Sequence, residues 1–73
     1  MAERDLLIAR KGEVQAHIHR LQSQLETVRA AAETSTGMSR RTLVARATRL
    51  QAQLEALMQE EARLRLEIDR SPR

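Results

Sequence analysis

Leucine or valine recurs every seven residues along the first half of the chain, at Leu7, Val14, Leu21 and Val28. Four residues after each come Lys11, Ile18, Leu25 and Ala32, and this alternation of threes and fours is the a/d seam of a coiled coil. A second tract repeats the pattern with d positions at Leu43, Leu50, Leu57 and Leu64 and a positions at Ala47, Leu54, Glu61 and Ile68. Its frame is displaced from the first by one residue. A chain patterned in this way is all-α, and it is either one long helix with a skip or two helices folded back on each other.

The skip coincides with Thr34-Ser35-Thr36-Gly37, four poor helix formers in succession, so a break is the better solution. Gly37 suits the left-handed position that follows a helix, and Ser39 suits the N-cap of the next. Met38 and Leu43 then have the spacing of a hydrophobic staple. The sequence predicts helix 1 over about 3–36, a turn at about 37–38, helix 2 over about 39–70, and a frayed tail 71–73 marked by Pro72.

Antiparallel pairing tests the register, because the two residue numbers in every seam layer must then total the same value. A total of 75 gives Leu7 with Ile68, Lys11 with Leu64, Val14 with Glu61, Ile18 with Leu57, Leu21 with Leu54, Leu25 with Leu50, Val28 with Ala47 and Ala32 with Leu43. Every seam position finds a partner, and the implied turn centre falls between Gly37 and Met38. Lys11 and Glu61 occupy adjoining layers, which predicts a diagonal ion pair that fixes register. The expected fold is an antiparallel two-helix coiled-coil hairpin. Its seam buries only a strip of each helix, while Ile8, Val44 and Met58 flank it at e positions. The further expectation is therefore a homodimer forming a four-helix bundle, with a hairpin docked on a protein partner as the alternative.

The composition excludes several chemistries. The chain has no cysteine, so disulfides, thiolate metal sites and cysteine nucleophiles are absent, and it has no aromatic residue on which a base would stack. Its longest apolar run, Leu6-Leu7-Ile8-Ala9, follows Glu3-Arg4-Asp5 and suits neither a leader nor a membrane span. A cytoplasmic protein without membrane contact is expected. Twelve of the thirteen basic residues are arginine, a composition compatible with a GC-rich bacterial or phage genome.

The positive charge gathers at the middle. Residues 26–50 carry Arg29, Arg40, Arg41, Arg46 and Arg49 against Glu26 and Glu33. With Ser39 as cap, Arg40 and Arg41 fall in the opening turn of helix 2, where the helix dipole disfavours cations. The five arginines are thus a candidate anion or partner site, for a nucleic-acid phosphate or an acidic protein surface. The plain alternative is a solvated loop that tolerates them.

His17 and His19 are two residues apart and point in different directions on a helix, so they do not chelate together; Glu13 with His17 would supply only two ligands. Glu55, Glu60 and Glu61 occupy ordinary heptad charge positions, with no nucleophile, glycine loop or metal set beside them. Gly12 lies at an outward position of helix 1, open to another backbone. No catalytic residue, metal, cofactor or small-molecule substrate is expected.

Length and heptads together resemble the Rop family of dimeric helical hairpins, which bind paired RNA loops, and the short hairpin proteins of bacterial secretion systems. The resemblance implies an architecture, since folds of this kind host unrelated functions. The favoured expectation is a non-enzymatic protein-interaction module, an adaptor, chaperone or inhibitor of a larger assembly. The alternative is a Rop-like RNA- or DNA-binding regulator that uses the arginine tip.

Overall fold

The computed structural model describes residues 2–71, which form two α-helices packed against each other, α1 over Ala2–Thr34 and α2 over Gly37–Arg70. They make a rod with Cα extents of 55 × 14 × 12 Å, the length expected of two antiparallel helices of about 33 residues rising about 1.5 Å per residue. Glu3 and Asp5 lie in the first turn of α1, where acidic side chains complement the dipole.

The seam follows the heptads. Val14, Ile18, Leu21, Leu25 and Val28 of α1 and Leu50, Leu54 and Leu64 of α2 are buried in one cluster, with Leu7, Leu43, Ala47 and Leu57 packed against it. Ile68 is half-buried at the far end. Polar bonds between the helices confirm the register. On one side of the seam the Arg10 guanidinium donates to Glu60 Oε1 at 2.8 and 3.2 Å; on the other, Arg29 donates to Gln51 Oε1 at 3.1 Å. Their residue numbers total 70 and 80, one heptad flank on either side of the seam value of 75.

Four expectations change at the ends of the helices. The break comes at Ser35 and Thr36, ahead of 37–38, because hydroxyls compete with the helical ladder there. Thr34 Oγ1 and Ser35 Oγ both donate to the Ala31 carbonyl, at 3.1 and 2.8 Å, and the Ser35 N–H closes a tight turn onto the Ala32 carbonyl. The N-cap of α2 is consequently Thr36, with extended backbone and no side-chain cap bond, and Ser39 lies within the helix. Gly37 does adopt the left-handed conformation, φ 64°, but as the first residue of α2. With Thr36 as cap, the staple positions fall on Ser35 and Arg40, so no apolar staple closes the tip, and Met38 is 77% exposed. At the other end Ser71 is tied down: its N–H donates to Ile68 O at 3.1 Å and its Oγ to Glu67 O at 2.9 Å. Pro72 and Arg73 lie outside the described residues.

The Lys11–Glu61 ion pair does not form among the described residues. Both side chains are half-buried, but Glu61 accepts from Arg65, one turn on along its own helix, where the spacing brings opposite charges together without crossing the seam. The charge pair that does bridge the helices is Arg10–Glu60, on the flank.

Candidate functional site

The shifted cap moves the arginine pair. Arg40 becomes the fourth residue of α2 and Arg41 the fifth, past the exposed N–H groups of the first turn, where the dipole has largely decayed. The dipole rule is therefore barely engaged by either residue.

The five candidate arginines also divide between two sides of the rod. Helical spacing puts Arg40, Arg41 and Val44 on one side of α2, where they border a shallow surface with Gly37 and Ala45. Arg29 continues this side from α1, lining with Glu33, Val44, Ala47, Gln51 and Glu55 an open groove of about 610 Å³. Arg46 and Arg49 lie on the opposite side. Arg40, Arg41, Arg46 and Arg49 are exposed and take no acidic partner among the described residues.

The two sides differ along their whole length, which the tally of charge along the chain conceals. The side of the e and b positions carries Arg29, Arg41 and Arg65 against Asp5, Glu26, Glu33, Glu55 and Asp69, three positive and five negative charges. It also carries Ile8, Val44 and Met58, which are 47%, 48% and 43% exposed. The side of the g and c positions carries Arg10, Arg20, Arg46, Arg49, Arg63 and Arg70 against Glu3, Glu13, Glu60 and Glu67, six positive and four negative. One side is thus weakly acidic with three exposed apolar residues, and the other is basic, with Leu6, 71% exposed, as its one large apolar residue.

On the basic side Arg10 also reaches Glu13, at 3.5 Å. The hydrogen bond and charge of Glu60, followed by the smaller influence of Glu13, hold the Arg10 guanidinium above its usual pKa. Glu13 is thereby engaged away from His17, and no three His, Asp or Glu side chains converge to hold a metal ion among the described residues. His17 and His19 are exposed. Gly12 faces open space, with nothing within 4 Å of where a Cβ would stand.

The cross-helix contacts Arg10–Glu60 and Arg29–Gln51 are the residues the heptad reading missed. The signal was present: in an antiparallel pair g faces g and e faces e, and these positions follow from the same seam total. No helix among the described residues is long and apolar enough to cross a membrane. Compared with protein-family models, curated proteins and solved structures, the chain matches none.

Proposed function

We propose that this chain is a non-enzymatic protein-interaction module, an adaptor, chaperone or inhibitor that presents a coiled-coil hairpin to a protein partner in the cytoplasm. The observation that carries the reading is its surface. The rod exposes 5697 Å² for a mass of 8.3 kDa, whereas a compact monomer of that mass exposes about 4,600 Å². The excess is larger than the roughly 800 Å² each partner contributes to a standard interface. Ile8, Val44 and Met58 supply the apolar ridges of the docking side, and its carboxylates select a partner with basic residues around an apolar strip.

A homodimeric four-helix bundle is the homotypic form of the same reading. It is disfavoured on this side, since Arg29 and Arg65 share e positions with the apolar residues. Parallel hairpins would bring each of these arginines level with its own copy in the shared face. The antiparallel register that brings Ile8 to Val44 of a second copy would set Arg65 against Arg29.

Replacing Ile8, Val44 and Met58 together by glutamine should leave the helical circular dichroism intact and abolish partner capture. Unchanged capture would remove this side from the proposal. A second reading, nucleic-acid binding, is favoured by the basic side with its six arginines rather than by the tip. Because the chain has no aromatic residue, nucleic acid carried through a low-salt purification would show directly at 260 nm. A nuclease-sensitive peak lost at high salt would put this reading first.

A further inference from the structure

We infer that the seam also closes between two copies of this chain, with residues 34–37 straightened into helix and α1 of each copy packed on α2 of the other. The inference rests on the hairpin seam and not on the identity of any outside partner. In such an exchanged dimer every seam layer keeps its residues, from Leu7 with Ile68 to Ala32 with Leu43, because the layers depend only on antiparallel register. What differs between the two forms is the tip.

The tip is the least supported part of the hairpin. Thr36 caps α2 without a side-chain bond, Met38 is 77% exposed, and Gly37 holds φ 64°. Two helix ends meet there, each leaving backbone groups without intrahelical partners, and among the described residues the bonds compensating them are the contacts to the Ala31 and Ala32 carbonyls. A straight chain would pair these groups in one continuous ladder. Fifteen residues separate Val28 from Leu43, two heptads and one residue, which a continuous helix absorbs by local unwinding. That region would lie at the dimer centre, where Ala32, Ser35 and Ser39 demand little packing. Opposing exchange is the proximity of the two helices in one chain, equivalent to about millimolar concentration across a short connection. The hairpin therefore dominates in dilute solution, and the dimer enters as concentration approaches that value.

Gly37→Ala is the discriminating variant. Nothing lies within 4 Å of the added Cβ, so the substitution acts through the left-handed backbone alone, disfavouring the hairpin by about tenfold relative to the straight helix. Because each dimer removes two such tips, the crossover to dimer should fall about a hundredfold, to roughly 10 μM. Two further features identify the dimer. Scattering should give a rod of about 100 Å, the length of some 69 helical residues. A thiol crosslinker applied to the full chain carrying Arg10→Cys and Glu60→Cys, positions in direct contact across the seam, should join two chains. Inserting a flexible Gly-Ser pair after Thr36 should restore the monomer in Gly37→Ala, which also shows that the variant folds. A Gly37→Ala chain that stays helical and monomeric to 1 mM, by the bound set by that effective concentration, overturns the inference. So does a dimer no longer than the 55 Å rod with crosslinks inside each chain, the signature of side-by-side hairpins.

Discussion

The middle of the seam and the tip are built from the same two helices, yet they are held by different kinds of interaction. Between Val14 and Val28 on α1, and around Leu50, Leu54 and Leu64 on α2, buried aliphatic side chains leave little surface in water. Between Thr34 and Leu43 the chain relies on two hydroxyl bonds to the Ala31 carbonyl, one backbone bond to the Ala32 carbonyl and a left-handed glycine, and Met38, Arg40 and Arg41 face solvent. The middle therefore carries the stability, and the tip decides only how the two helices are connected. A protein divided in this way can tolerate changes at the tip that would unfold it at the middle.

The strongest challenge to that comparison is a paired truncation. Leu25→Ala removes a side chain only 4% exposed and should cost about 2–5 kcal/mol, enough to erase much of the helical signal of so small a protein. Leu43→Ala, at a half-buried position beside the tip, should cost clearly less. Equal losses in thermal or urea melts followed by circular dichroism would show that the tip carries as much of the fold as the middle.

Gly37→Ala should come next, lowering hairpin stability by about 1–2 kcal/mol in melts at concentrations too low for dimer. Smaller and opposite in sign is Thr36→Asp. An aspartate at the N-cap gives α2 the acceptor that Thr36 does not provide and complements the dipole, and should raise the melting midpoint by the equivalent of about 0.5–1 kcal/mol. If it has no effect, the tip is better satisfied by solvent than its geometry indicates. The smallest effect is expected for Arg10→Ala, which breaks the bridge to Glu60 on an exposed flank. Its influence should vanish in high salt, whereas that of Leu25→Ala should persist.

How far each feature was legible in the sequence depended on how many residues encoded it. The seam was written at fourteen of the sixteen a and d positions of the two tracts, so the two polar intrusions, Lys11 and Glu61, left the pattern readable. The cap was encoded by one residue among several hydroxyls. Ser35, Thr36 and Ser39 are all competent N-caps, and choosing among them required knowing that Thr34 and Ser35 bond back to Ala31. The Lys11–Glu61 pair failed for a related reason: a charge at the seam has neighbours along its own helix as well as across it, and Arg65 was nearer in the sense that matters.

The candidate arginine site shows the same limit. Clustering along the chain suggested one patch, but a helix turns about 100° per residue, so neighbours in sequence such as Arg41 and Arg46 are carried to opposite sides of the rod. The division into a basic side and an apolar, weakly acidic side emerged only when the helices were set in register.

The helical fold, the antiparallel pairing of the two heptad tracts and the membership of the seam were all legible in the residues alone, because those properties follow from a period repeated over many residues. The folded geometry was needed to fix where the first helix stops, which residue begins the second, and whether Glu61 bonds along its own helix or across the seam. These depend on competition among a few bonds of about 1 kcal/mol each, and such competitions are settled by geometry rather than by pattern.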